Sequence, residues 1–257
     1  MNKLNVILVM IAVLLILSSC EDKKVRIAIS KGIGSANYEM YGRFIQNIDK
    51  EIEVANLHGL SVEAALLELK SCSGLVLSGG PDVHPVHYGK DYDTSRCSID
   101  LYRDSLEFAL IKESDKMNLP TLAICRGAQI INVAYGGTLI VDIPEDTDSE
   151  IPHQIPNEDT YHDINIYDGS KLSKISDSQY GVVNSNHHQS VDKLAEIFKV
   201  NAITNDGIIE GFEFKNKSNR FFMAVQWHPE RMENDSRLSY PLAESFVDAA
   251  KRYKKEK

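Results

Sequence analysis

Over residues 25–125 short apolar runs alternate with amphipathic stretches, and this alternation constrains the fold more than any other feature. "VRIAIS" (25–30), "EIEVAN" (51–56), "GLVLSGG" (74–80) and "LPTLAI" (119–124) read as strands, while "YEMYGRFIQNI", "SVEAALLELK" and a long segment over 100–117 read as helices. Strands that alternate with helices form a mainly parallel sheet covered on both faces. After Gly136 the pattern changes to shorter strands and turns: "TLIVDI", "YHDINIY", "YGVVNS", "FKVNAIT", "IIEGFEF" and "FFMAVQW". No linker or shift of composition separates the two parts, so the second reads as an antiparallel extension of the same sheet. "SYPLAESFVDAAKRYKK", with Pro in its first turn, supplies a last helix. The expectation is one α/β domain over residues 25–257.

The 257 residues carry a formal net charge of −9, and the only basic run is the terminal "KRYKKEK". A grip on nucleic acid needs a basic stripe to neutralise phosphates, so nucleic acid is not an expected partner. The terminal run reads as a solvated helix face.

The first twenty residues, "MNKLNVILVMIAVLLILSSC", read as a targeting segment: a Lys near the start, then an apolar run from Val6 to Leu17. That run is shorter than the roughly 20 residues of a comfortable membrane span. Its ending, L-S-S-C, resembles the bacterial lipoprotein signal. The resemblance implies a signal peptide over 1–19, lipidation at Cys20, a short linker over 20–24, and a protein lipid-anchored in the bacterial cell envelope, facing out of the cytoplasm at the periplasm or cell surface. Three further cysteines remain, Cys72, Cys97 and Cys125. Cys72 and Cys97 are free to pair or to stay as thiols.

Cys125 lies in "LPTLAICRGAQIINVAYGG" (119–137), where an apolar strand turns at once into an amphipathic helix. A nucleophile at such a turn sits on the helix N-terminus, where unpaired N–H groups and the helix dipole favour an anion. A free thiol, with pKa about 8.5, is mostly protonated at neutral pH, and this setting with a nearby imidazole lowers that value. Gly127 is expected to leave room for the tight turn and for a substrate. A cysteine nucleophile needs a base and a group that orients the base. "AVQWHPE" (224–230) offers His228 and Glu230 straight after an apolar strand.

The elbow and "WHPE" together resemble the class I glutamine amidotransferase superfamily. "LSGGPDVHPVHYG" (77–89), "CRGAQIINVAYGGTLIVDI" (125–143), "NSNHHQSV" (184–191), "IIEGFE" (208–213) and "QWHPE" (226–230) resemble its γ-glutamyl hydrolase branch. The resemblance implies a flavodoxin-like three-layer α/β sandwich. It implies a catalytic triad of Cys125, His228 and Glu230 that cleaves γ-glutamyl amides through a thioester. It further implies oxyanion-hole amides at Gly79, Gly80 and Arg126, and contacts to the glutamyl group from Gln129, Asn186, His187 and His188. A small γ-glutamyl compound is the implied partner, with no cofactor and no metal, and self-association as a homodimer is left open. One departure stands out: Ala123 occupies a position where the family usually has Gly.

Two other functions compete, an amidotransferase subunit that supplies ammonia to a synthetase and an inactive γ-glutamyl-binding lipoprotein. An address outside the cytoplasm favours hydrolysis over the first, and a complete triad weighs against the second. "HPVH" (84–87) is a poor metal motif, lying in a Pro-containing loop without accompanying Cys or acidic cluster, and the metal-like "NHHQ" (186–189) is better explained by the family resemblance. "KGIGSAN" (31–37) lacks the third Gly of a dinucleotide fingerprint and reads as a helix-entry loop at the mouth of the site.

Overall fold

The computed structural model describes residues 24–216 and 220–257. The expected signal peptide and Cys20 lie outside the described residues. Strands β1 (Arg26–Ile29), β2 (Glu53–Asn56), β3 (Gly74–Leu77), β4 (Thr121–Ile124) and β11 (Phe222–Val225) form a parallel set in the order β2-β1-β3-β4-β11. The sheet continues antiparallel through β10 (Ile209–Phe214), β9 (Phe198–Thr204), β6 (Thr160–Ile166) and β7 (Tyr180–Ser185). Two short strands, β5 (Leu139–Ile140) and β8 (Ser190–Val191), pair with each other, and β8 bridges to β10.

Every residue of β3, β4 and β11 is buried, as strands covered on both faces must be. Leu75, Leu77, Ala123 and Ala224 point to one side, against α2 (Val62–Leu69), α3 (Leu101–Lys116) and α4 (Arg126–Ala134). Val76, Leu122, Ile124, Met223 and Val225 point to the other, against α1 (Ala36–Ile48), α6 (Lys171–Ser176) and α7 (Tyr240–Glu256). The helices begin where side chains satisfy their free amides: Ser35, Ser61 and Asp100 accept from Tyr38, Ala64 and Arg103 at the starts of α1, α2 and α3. α1 then buries Tyr41, Phe44 and Ile45, the i, i+3, i+4 stripe of an amphipathic helix.

"TLIVDI" stops being a strand earlier than its apolar run suggests. Asp142 accepts from the Glu145 amide and Pro144 follows, a capping pattern that opens the short helix α5 (Ile143–Asp146) instead. Cys72 and Cys97 are both free thiols, Cys72 buried against α2 and Cys97 half-buried beside Gln189. The chain leaves β4, builds the whole antiparallel arm, and returns as β11 alongside β4, with Val225 in register with Ile124. Two segments a hundred residues apart thus end side by side.

Candidate active site

Cys125 follows β4 and precedes the first residue of α4 with φ 51° and ψ −110°, a backbone conformation that costs a non-glycine residue about 1–3 kcal/mol. That turn sets the thiol over the N-terminus of α4, whose first amides have no acceptor within the helix. Ala123 lies in the extended strand, paired with Leu77 and Ala224, so its methyl demands no unusual φ. Gly127 has a different reason from the expected one. A Cβ there would stand 2.2 Å from the Leu77 carbonyl oxygen, so its missing side chain lets α4 pack against β3.

His228 and Glu230 emerge where β11 ends, on a turn begun by Pro229. The His228 Nδ1–H donates to Glu230 Oε1 at 2.7 Å, and both residues are buried. The His228 amide donates to Asn184 Oδ1 at 3.1 Å, which fixes the backbone from the β7 side. With Nδ1 committed, the Nε2 edge serves Cys125. Burial works against the imidazolium, but Glu230 and Cys125 beside it outweigh that and lift His228 to about 10. Arg231 stands behind the pair, its Nε 3.5 Å from Glu230 Oε1 and its Nη1 donating to Asp159 Oδ1 at 2.8 Å.

The loop after β3 closes over the thiol. A Cβ on Gly79 would lie 2.6 Å from Tyr41 Oη, 3.0 Å from His228 Cε1 and 3.6 Å from Cys125 Cβ, so only glycine fits at the centre of the site. The Gly79 amide donates to Tyr41 Oη at 2.9 Å. Among the described residues the Gly80 amide has no such partner, so of the two it is the one left for a ligand. Behind this loop Arg103 donates to Gly79 O at 2.9 Å and to Ser78 O at 3.2 Å. Its guanidinium also pairs with Glu107 Oε1 at 2.5 Å, and Glu107 and Asp104 in turn hold the Arg126 guanidinium. All four side chains are buried. Arg126 therefore offers a ligand only its amide, and its side chain locks the start of α4 to α3.

The other expected site residues divide. Gln129 is buried and donates to Gln189 O at 3.0 Å, one turn into the elbow helix. Asn186 donates to Asp159 Oδ1 at 3.1 Å. His188 lies between Asp82 and Asp142, at 3.0 and 3.1 Å, and Asp82 above all lifts it to about 9. His187 turns inward: its Nδ1–H donates to Gln189 O at 2.9 Å and its Nε2 faces Glu210. The "KGIGSAN" loop borders the site, with the Lys31 amide donating to Ser78 Oγ at 3.2 Å. In "HPVH", His84 Nδ1 accepts from the Val86 amide and His87 packs edge-on against Phe108. Sequence reasoning missed Tyr41, Asn184, Arg103 and Glu107. Only Asn184 had a signal, lying in the quoted "NSNHHQSV".

A cysteine elbow beside a His–Glu pair, on a parallel sheet with an antiparallel extension, defines a class I glutamine amidotransferase-like protein. A family profile described as Peptidase C26 matches residues 60–230. The chain belongs to that family. It is 38% identical over 177 residues to the glutamine amidotransferase-like protein YvdE of Lactococcus lactis, covering 68% of this chain and 72% of that one. It is 33% identical over 216 residues to the gamma-glutamyl-gamma-aminobutyrate hydrolase of Escherichia coli O157:H7, covering 80% and 83%. Among solved structures, the glutaminase domain of Trypanosoma brucei CTPS superposes with a TM-score of 0.64 at 18% identity, covering 89% of this chain and 94% of that domain. The last match establishes the flavodoxin-like amidotransferase fold alone.

Proposed function

We propose that this protein is a hydrolase of small γ-glutamyl amides and peptides that acts in the cell envelope, held there by a lipid on Cys20. The buried His228–Glu230 pair, set beside a cysteine on a strained elbow, carries the reading. The Cys125 sulfur attacks the γ-carbonyl carbon while His228 holds the thiol proton. Charge that develops on the carbonyl oxygen is met by the amides of Gly80 and Arg126, and one such donor is worth about 2.7–4 kcal/mol. The C–N bond breaks, His228 protonates the departing amine, and a γ-glutamyl thioester remains. A water molecule then gives its proton to His228 and attacks the thioester, releasing glutamate and restoring the thiol.

The choice of hydrolysis over ammonia transfer is supported by the hydrolase relative, which spans more of the chain than the amidotransferase-like one. The expected address outside the cytoplasm agrees with it and favours scavenged γ-glutamyl peptides as substrates. The test is single-turnover reaction of the protein with a panel of γ-glutamyl amides, with mass detection of the adduct and Cys125→Ala as control. A glutamyl adduct on Cys125 that decays to glutamate in water is expected. A folded protein that forms neither adduct nor glutamate would leave only the binding role. Glutamine turnover that rises only with an added synthetase would favour the amidotransferase. Loss of membrane association and of lipid labelling in Cys20→Ala tests the anchor, and unchanged association would refute it.

A further inference from the structure

One group of buried side chains lies outside the catalytic machinery and is not satisfied by protein partners. His153, from the loop before β6, His162 on β6, His187 after β7 and Glu210 on β10 converge, each less than a tenth exposed. Glu210 Oε1 lies 3.6 Å from His153 Nδ1, 3.3 Å from His162 Nε2 and 3.4 Å from His187 Nε2. None of these four atoms makes a hydrogen bond, and each is shut off from solvent. Buried polar atoms are costly to leave without partners, and four of them stand here in one place.

The outer hydrogen bonds show which way the lone pairs point. The His187 Nδ1–H is given to Gln189 O at 2.9 Å, leaving Nε2 as an acceptor aimed at Glu210. The His153 Nε2–H is given to Asp206 Oδ2 at 2.9 Å, leaving Nδ1 as an acceptor aimed at the same place. Asp206 is itself held by the hydroxyls of Ser149 and Thr204. Acceptors that face a carboxylate repel one another unless a cation lies between them. Metal-ligating histidines usually donate their far ring N–H to a carboxylate or carbonyl in this way.

The distances fit as well. Metal–nitrogen and metal–oxygen bonds near 2.0–2.2 Å place tetrahedral donors about 3.3–3.6 Å apart. The ligand atoms of His153, His162 and Glu210 lie within 4.8 Å of one another, so these three need little movement to close on an ion; His187 Nε2, 3.4 Å from Glu210 Oε1, lies outside that group and has to shift toward the other two histidines to become the fourth donor. The charge also balances, since a divalent cation meets two carboxylates, Glu210 and Asp206. A cavity of about 440 Å³ is bordered by His153 and His187.

We propose that His153, His162, His187 and Glu210 form a tetrahedral site for a divalent transition metal, Zn²⁺ by its preference for mixed nitrogen and oxygen donors. Four protein ligands leave no open position, so the ion is structural. It ties the loop before β6 and the turn at Asn186–Gln189 to the central sheet. The reading does not depend on the proposed hydrolase activity.

The test is the metal content of the full-length chain purified in detergent, followed by removal of the metal and titration with Zn²⁺ and Co²⁺. About one Zn²⁺ per chain is expected, retained in Cys125→Ser. Co²⁺ should give the intense visible bands of a tetrahedral site without a thiolate charge-transfer band. Asp206→Asn, which keeps all four ligands, should weaken Zn²⁺ affinity by about 10–100-fold. Glu210→Gln should lose the ion. Folded wild-type protein that takes up no metal would overturn the proposal and leave a protonated His153 between Glu210 and Asp206. Metal that disappears with Cys125→Ser would overturn it too, by placing the ion at the thiol. Wild-type uptake and the cobalt spectrum decide the matter even if Glu210→Gln does not fold.

Discussion

The guanidinium of Arg103 donates to the carbonyl oxygen of Gly79 at 2.9 Å, so a residue in the first turn of α3 sets the loop that covers the Cys125 thiol. Arg103 touches no reacting atom and acts through the backbone. Arg103→Lys keeps the charge but loses the planar fork that reaches both Ser78 O and Gly79 O. With the Gly80 amide no longer held in place, kcat on a γ-glutamyl amide should fall by about tenfold or more, ~1.4 kcal/mol of transition-state stabilisation, with KM little changed. Steady-state kinetics on the folded variant check this. An unchanged kcat would reduce the buried arginine to a structural role.

Cys125 holds its thiol in place at the expense of an unfavourable backbone. Ala at this position keeps the strain and Gly relieves it. Cys125→Gly should therefore be more stable than Cys125→Ala by about 1 kcal/mol or more, raising Tm by roughly 2–4 °C for a domain of this size, while both are inactive. Thermal unfolding of the two variants is the measurement. Equal melting temperatures would mean that the elbow is not strained in solution.

Protonated His228 supplies the proton for the leaving amine, and this form persists up to about pH 10. The basic limb of the kcat/KM profile should therefore fall as pH rises through about 10, well above the ordinary histidine value near 6.5. Glu230→Gln removes a charge that raises the histidine, so its limb should move to lower pH. Its kcat should also drop, by on the order of 10⁴ as for the orienting carboxylate of other triads. A limb that stays in place in Glu230→Gln would exclude Glu230 as the group that holds the imidazolium.

Much of the parallel half was legible because each of its strands is a short apolar run closed by a turn or a capping residue. Cys125, His228 and Glu230 were legible for a related reason. Each lies within a few residues of a strand end, and the segments around them are distinctive. Arg103, Asp104 and Glu107 were not, because charged residues on a helix read as its solvated face. Here they turn inward and neutralise one another together with Arg126. The close packing of Gly127 on Leu77 was not legible, because Leu77 comes from a strand fifty residues earlier and no local pattern reports that contact. The histidines around Glu210 were missed for the same reason, since only His187 lies in a stretch that looked metal-like and its companions come from three other segments.

The direction of the strands has a consequence for how the protein meets its surroundings. β1, β3, β4 and β11 all run the same way, and Gly79, Cys125 and His228 leave from their far ends. The chain enters β1 at the opposite rim, about 13 Å away for four-residue strands. The anchor proposed at Cys20 would therefore join the described chain at the rim away from the catalytic residues.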